Sequence, residues 1–507
     1  MAPKVDPYIK RILSARVYDV SQETPLTHAA NLSARLGNSV MLKREDQQSV
    51  FSFKSRGAYN RIFQLMQKDP VEGVIAASAG NHAQGVALAA TKLGIKSIIV
   101  MPKPTPEIKV NAVRAFGGRP VLHGDIYDDA YAHAMELVEK HGYPLIHPFD
   151  HPDTIAGQGT IGVEICMQHS QDLHAVFVPV GGGGLASGIA AYMKYLRPDV
   201  KVIGVEPEDA NAMYVSLQRG RRSTIKHVGI FADGVAVKQP GKETFKLCKK
   251  YLDGVVLCSV DEMCAAIKDV FTDTRTLLEP SGALSVAGLK KYVGQTGCKD
   301  ENLIAVTSGA NINFDRLRHV AERAEIGEQR EALLCVTLRE QPGAFRKLCS
   351  DLGRRSITEF NYRYAEDDIA HVFAGVQLSN GTEERQQMVK SLREDGYDVM
   401  DLTDDEMAKL HVRYMVGGHA PKVQDEQLYR FEFPDRPGAL STFLNKMARG
   451  WNISLFHYRN HGSAFGRVLV GMQVPEKDKA RLQAFLNDVG YPHWPENDNP
   501  AYQAFLR

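Results

Sequence analysis

Three short segments hold residues whose type and spacing could do chemistry. The first is SFKSRGA (52–58), where Lys54 stands among small residues just before the helical stretch AYNRIFQLM. A lysine amine can attack a carbonyl and can act as a base, provided that burial lowers its pKa. Taken alone, a lysine at a helix start is most often a surface residue. The second is SAGNHAQG (78–85), in which a strand ends in small residues and a helix begins. Backbone N–H groups there, the positive end of the helix dipole and the Asn81 amide suit a small carboxylate and a ring hydroxyl. The third is PVGGGGL (179–185), four glycines between a strand and a helix. Without Cβ atoms the backbone can approach a phosphate closely and turn several N–H groups toward it. This run lacks the G-x-G-x-x-G spacing, and Ala186 and Ser187 follow it instead of Lys-Ser/Thr, so a dinucleotide or nucleoside-triphosphate loop loses its support.

These segments sit in a regular alternation of elements. GVIAASAG (73–80), SIIVMP (97–102), RPVLHG, AVFVPVGGGG (175–184), KVIGVEP (201–207) and NLIAVTSGAN (302–311) read as strands. Helical spacing fills the intervals, as in 81–94, 107–118 and LASGIAAYMKYL. Strand–helix alternation with Gly-rich turns at strand ends predicts an α/β parallel sheet with ligands at those ends. Beyond Ser308, NFDRLRHVAERAEIGEQREALL is charged with a period near 3.6 and predicts a solvated connecting helix.

The last third contains an internal repeat. LLCVTLREQPGAFRKLCSDLG (333–353) lines up with LYRFEFPDRPGALSTFLNKMARG (428–450), ITEFNYR (357–363) with ISLFHYR (453–459), and GVQL (375–378) with GMQV (471–474). A period of about 95 residues exceeds that of a solenoid and marks a duplicated small domain. Each copy reads as a βαββαβ unit of ferredoxin-like type. The Pro-Gly turns at Pro342 and Pro437 place backbone N–H groups at a helix start, where a carboxylate could bind, although Pro-Gly is equally a good strand-to-helix turn.

Composition narrows the class. The 507 residues exceed one ordinary domain, and 61 Lys and Arg against 60 Asp and Glu leave a formal charge of +1. No charge imbalance points to nucleic acid or a membrane surface. No apolar run reaches the roughly 18 residues of a membrane span. The seven cysteines include no C-x-x-C pair, which argues against a disulfide framework or a zinc cluster. Asp6, Asp19 and the lack of a continuous apolar stretch near the start argue against a targeting segment, so the expected compartment is the cytoplasm. His82, His123, His147, His151 and His174 have no ligand spacing, and Cys248, Cys258 and Cys264 read as core or helix residues. RGRRSTIK (219–226) reads as a solvated loop.

Taken in order, the S-F-K triplet, S-A-G-N-H-A-Q-G, the tetraglycine run, GVEPEDA (204–210), LEPSGALS (278–285) and T-S-G-A-N (307–311) resemble the pyridoxal-phosphate enzymes of the tryptophan-synthase β fold type, also called fold type II. Within that type the resemblance is to the threonine/serine ammonia-lyases, and the C-terminal pair resembles the ACT-like regulatory pair of the biosynthetic members. The resemblance implies a two-lobed parallel-sheet catalytic domain over 1–325, with the connecting helix at its end, and ACT-like α+β domains over 331–402 and 426–497. It implies that Lys54 links to pyridoxal 5'-phosphate and acts as the base on Cα. Asn81 then faces the cofactor's 3'-oxygen, and Gly181, Gly182, Gly183, Gly184 and Leu185 hold its phosphate through backbone N–H groups. Ser308 faces the pyridine nitrogen. A hydroxyl, unlike an aspartate, does not keep that nitrogen protonated, so the ring is a weaker electron sink; β-elimination suffers least from this and transamination most. Ser78, Gly80 and Asn81 face the substrate carboxylate; Glu279 of L-E-P-S-G reads either as a positioning residue near the cofactor or as a structural one.

Two departures separate the chain from racemases of the same fold. Their second loop serine, which acts on the opposite face of Cα, is Ala79 here, and the acid expected six residues after Glu206 is Ala212. Both favour a one-base lyase without that metal site. The expected reaction is L-threonine to 2-oxobutanoate and ammonia, with isoleucine inhibiting, valine opposing it, and a homotetramer by family precedent. The alternatives are β-replacement on the same fold, as in cysteine or cystathionine synthesis, and a non-catalytic amino-acid sensor.

Overall fold

The computed structural model describes residues 6–339, 347–348, 351–352, 355, 357–366, 369–414, 425–434, 442–443, 446–447, 451–459 and 465–506. Both Pro-Gly turns therefore lie outside the described residues, as does most of the helix expected after each. The chain divides into two compact units, Met1–Phe314 and Asp315–Arg507.

The first unit holds two sheets. Strands β1 (Leu26–His28), β2 (Ser39–Lys43), β6 (Ala175–Pro179), β7 (Lys201–Pro207), β8 (Gly254–Cys258) and β9 (Asn302–Val306) form a six-stranded sheet in the order β1-β2-β9-β6-β7-β8. Only the β1–β2 pair is antiparallel. The second lobe is a parallel three-stranded sheet, β3 (Gly73–Ala77), β4 (Lys96–Met101) and β5 (Arg119–Leu122). Continuous Val, Ile and Ala runs suit these strands because helices cover both faces. In β3, Val74 and Ala76 enter one core and Ile75 and Ala77 the opposite one, as the two-residue period of a strand dictates. Among the described residues no helix is long and apolar enough to cross a membrane.

A buried charge network fixes the helix Lys54–Lys68 at its first turn. The Arg56 guanidinium donates to Glu45 Oε2 and Oε1 at 2.8 Å each and to Glu164 Oε1 and Oε2 at 2.5 and 3.0 Å. Lys43 Nζ donates to Glu164 Oε2 and to the Thr24 carbonyl, both at 2.6 Å. All four charged side chains are fully buried or nearly so. Removing one partner of such a network strands charge in a low-dielectric interior and costs about 3–5 kcal/mol. Arg56→Met is expected to lower the thermal midpoint of the catalytic unit by that mechanism, read by a calorimetric scan. A wild-type midpoint would mean that the network contributes no net stability.

The second unit contains two sheets of identical topology. The first joins β10 (Glu331–Arg339), β11 (Ile357–Glu366), β12 (Ile369–Gln377) and β13 (Asp398–Asp401) in the order β11-β12-β10-β13. The second joins β14 (Glu426–Pro434), β15 (Asn452–Arg459), β16 (Phe465–Gln473) and β17 (His493–Pro495) in the order β15-β16-β14-β17. Both are antiparallel with the strand order of a ferredoxin-like fold. Alternation along β10 sends Ala332, Leu334 and Val336 into that copy's own core with the helix Gly381–Glu394. Leu333 and Cys335 point the other way, into a core shared with Leu428 and Leu469 of the second copy and with the C-terminal helix Pro500–Phe505. The repeat is thus one body with a common apolar centre.

The connecting helix, Arg316–Gly327, groups with this second unit. It also departs from the solvated helix expected from its charges. Arg316, His319, Val320, Arg323 and Ala324, at three- and four-residue spacing, are buried on one face. Ile326 joins the shared core, and Arg323 Nη2 donates to Glu406 at 2.5 Å. Charged residues can line a buried face when each has a partner, and sequence spacing does not reveal the partner.

Candidate active site

The residues singled out above gather at the carboxyl ends of β3, β6 and β9, where an open α/β sheet presents its loops. After β6 the backbone passes through Gly181 and Gly182, takes a left-handed turn at Gly183 (φ +95°) and enters the helix Gly184–Leu196. A Cβ on Gly182 would lie 2.4 Å from the Phe149 ring, and one on Gly184 would lie 2.9 Å from Phe149 Cβ. One on Gly181 would lie 2.8 Å from Val235 Cα. The Gly182 carbonyl is held from the opposite side by Thr244 Oγ1 at 2.5 Å and Gly241 N at 3.3 Å. Among the described residues, no backbone carbonyl accepts from the N–H groups of residues 181–185. A helix N-terminus lined by such N–H groups is a cradle for an anion.

Lys54 opens its helix, and its Nζ donates to the Pro148 carbonyl at 3.3 Å, next to the Phe149 ring that lies under the glycine run. Burial pulls the Lys54 amine down from its ordinary 10.5 to about 8, opposed by the Glu279 carboxylate. At neutral pH this leaves far more free amine than a solvated lysine has. The segment before Lys54 is stitched to the end of β9. Phe53 N donates to the Ser308 carbonyl at 3.2 Å, Ala310 N to the Phe51 carbonyl at 2.9 Å, and Ser52 bridges to Gly309. Ser308 is buried, and its hydroxyl donates to the Ser281 carbonyl at 3.2 Å.

After β3, Ser78 N donates to the Val100 carbonyl at 3.1 Å, and Gly80 N donates to Ser78 Oγ at 3.3 Å. A Cβ on Gly80 would meet nothing within 4 Å, so this side of the turn is open. Asn81 begins the helix Asn81–Lys92, and Gly85 in the next turn lets that helix pack against the start of the other; a Cβ there would be 3.0 Å from the Lys54 carbonyl. The Asn81 amide joins two residues distant in sequence. Its Nδ2 donates to Glu279 Oε1 and its Oδ1 accepts from Asn311 Nδ2, each at 2.6 Å. Burial and then the nearby Asp233 push Glu279 up to about 7.

Sequence reasoning did not single out Asn311, Phe149 or Pro148 for the site. Asn311 closes the T-S-G-A-N motif and was within reach; nothing marks Phe149 or the Pro148 carbonyl in the sequence. Of the histidines, His82 is buried against the Ile146 carbonyl at 2.7 Å, and burial and then Lys54 hold it down to about 3, so it is neutral. Glu206 spends both carboxylate oxygens on backbone N–H groups, Met213 at 2.9 Å and Tyr214 at 2.6 Å.

The profile of the pyridoxal-phosphate dependent enzyme family matches residues 17–309. That of the C-terminal regulatory domain of threonine dehydratase matches twice, over 322–412 and 417–506. The biosynthetic L-threonine dehydratase IlvA of Burkholderia multivorans is 56% identical over 98% of this chain and 99% of its own. The chain belongs to the biosynthetic threonine dehydratase family. The Escherichia coli member is 51% identical over 100% of this chain and 98% of its own. Among solved structures, the processed form of threonine deaminase isoform 2 from Solanum lycopersicum superposes with a TM-score of 0.63 at 50% identity, covering 64% of this chain and 90% of that one.

Threonine dehydratases of this family are pyridoxal-phosphate-dependent lyases with a regulatory C-terminal region, and the residues present fit that cofactor. The glycine run offers N–H groups to a phosphate, Lys54 offers a depressed amine to an aldehyde, and the Asn81 amide is bonded to Glu279, the carboxylate whose charge acts on Lys54. Because the amine must be unprotonated to attack, capture of added cofactor by the apoenzyme is expected to accelerate with rising pH and to level off above about 8. Stopped-flow absorbance measures this rate. Acceleration continuing toward pH 10 would mean that Lys54 is not desolvated.

Proposed function

We propose that the chain deaminates L-threonine, and L-serine as well, to the 2-oxo acid and ammonia by pyridoxal-phosphate-dependent β-elimination, the committed step of isoleucine biosynthesis. The bound cofactor supplies an aromatic electron sink for the charge that develops at Cα. Lys54 Nζ would anchor the cofactor and, as a free amine, would take the proton from Cα. Ser78, Gly80 and Asn81 orient the substrate carboxylate at the start of the helix Asn81–Lys92, where the helix dipole favours an anion. Gly181, Gly182, Gly183, Gly184 and Leu185 hold the phosphate through N–H groups, and Asn81 holds the 3'-oxygen. Ser308 would turn its neutral hydroxyl from the Ser281 carbonyl to the ring nitrogen, which favours elimination over transamination. Ala79, standing where the racemases of this fold place a serine, cannot transfer a proton to the opposite face of Cα.

The observation that supports this reading best is the convergence of Lys54, Asn81, the glycine run and Ser308, drawn from four separate segments, on the ends of three strands. The first unit, closing at Phe314 and so without the connecting helix that the sequence assigned to it, serves as the catalytic domain, and 331–402 and 426–497 as the ACT-like pair that binds isoleucine as inhibitor and valine as its antagonist. The working assembly is a cytoplasmic homotetramer. Assay of ammonia and 2-oxobutanoate from threonine, with and without an added thiol, tests the reaction. Ammonia and 2-oxobutanoate formed at a thiol-independent rate are expected; a thioether product in their place would assign β-replacement.

A further inference from the structure

Asn81 is held from both sides by groups that leave its amide only one orientation. Asn311 Nδ2 donates to the Val50 backbone carbonyl at 2.8 Å. A carbonyl can only accept, so this contact fixes which end of the Asn311 amide is nitrogen. The same nitrogen donates to Asn81, so the Asn81 atom facing it must be the acceptor Oδ1. The Asn81 nitrogen then faces Glu279, whose Oε1 also accepts from Ser281 Oγ at 3.0 Å. Side-chain amides are commonly ambiguous in orientation, but here the Val50 backbone carbonyl dictates the answer through Asn311, and Glu279 accepts on the other side. The Glu279 backbone is fixed too, its N–H donating to the Gly309 carbonyl at 3.2 Å. A Cβ on Gly309 would lie 2.5 Å from Glu279 Oε1, so only glycine lets the carboxylate reach this place.

We infer that Asn311 and Glu279 are positioning residues that lock Asn81 as a hydrogen-bond donor toward the cofactor's 3'-oxygen, holding that oxygen in its ionised form. The inference rests on the proposed cofactor site and concerns its chemistry one step further out. Asn81 Nδ2 carries two hydrogens, and Glu279 takes one of them. The second N–H is the group left to meet a ligand oxygen, and a donor stabilises an anionic oxygen where an acceptor would force it to keep a proton. Without Asn311 or without an acceptor at 279, one of the two constraints is lost and the population of the flipped amide, which presents its oxygen, rises.

The test uses full-length holoenzyme and reads the absorption of the bound cofactor, whose long-wavelength band requires the ionised 3'-oxygen and whose near-ultraviolet band reports the protonated one. Asn311→Ala and Glu279→Ala are each expected to lower the ratio of the two bands roughly five- to tenfold, the worth of an ordinary hydrogen bond. Glu279→Gln keeps a side-chain oxygen able to accept from Asn81 and is expected to stay within about twofold of wild type. Far-UV circular dichroism and the thermal midpoint identify which variants are folded; if one alanine variant does not fold, the other carries the test. Unchanged band ratios in a folded alanine variant would overturn the inference, as would a Glu279→Gln ratio as low as that of Glu279→Ala. Borohydride labelling of each protein separates the two levels: Lys54 labelled with unchanged ratios removes the positioning role alone, whereas wild-type protein without label at Lys54 removes the cofactor reading beneath it.

Discussion

Lys54→Ala is expected to lose the visible absorption of the holoenzyme and to lower threonine deamination by at least about 10³-fold, because one amine is both the anchor of the cofactor and the base on Cα. The setting explains why no neighbour takes over. Burial brings the Lys54 amine down to about 8. The other buried lysine near this helix, Lys43, is committed to Glu164, Gln168 and the Thr24 carbonyl. His82 is neutral and bound to the Ile146 carbonyl. Spectra and initial rates on the purified variant check the prediction. Retention of both the band and the wild-type rate would place the anchoring amine elsewhere.

The second large effect concerns control. A chain ending at Phe314, where the catalytic unit closes, is expected to keep threonine deamination and to become indifferent to isoleucine. An effector acts only through unequal affinity for two states, and couplings of about 1–3 kcal/mol, or 5–150-fold, are typical. In the second unit a shared apolar core couples the packing of the two copies. Leu333, Cys335 and Phe373 of one copy and Leu428 and Leu469 of the other share a core that the C-terminal helix completes through Ala501, Tyr502 and Phe505. Packed cores adopt discrete arrangements rather than deforming continuously, so a ligand that alters one copy's packing biases both. Rates titrated with isoleucine, on the full chain and the shortened one, read the effect. Sigmoidal, isoleucine-sensitive kinetics in the shortened chain would put the effector site in the first unit.

Much of this architecture is legible in the residues, for identifiable reasons. The strand read at 201–207 is found at Lys201–Pro207, because an apolar run buried on both faces and ended by proline has little alternative. The helix read at 81–94 ends at Lys92, with Gly94 turning the chain at φ +72°. The duplication was legible because the two copies keep the same strand pattern about 95 residues apart, and the paired sheets repeat it. Less was visible wherever the argument depends on partners far apart in sequence. Asn81 meets Glu279 and Asn311 across 198 and 230 residues, and no local pattern announces such a pairing. The buried face of Arg316–Gly327 was hidden for the same reason, since its arginines read as solvated until Glu406 is seen beside Arg323. The short strand Leu26–His28 carried too few residues to show a period. For the site, the glycine run and the small-residue loops announce themselves by composition, whereas Phe149 beneath them is one phenylalanine among twenty.

The most direct measurement is reduction of the holoenzyme with borohydride, followed by proteolysis and mass mapping of the pyridoxyl label. One labelled peptide is expected, carrying the modification on Lys54 of the SFKSR segment. A label on any other lysine, or none on a protein supplied with cofactor, would contradict it.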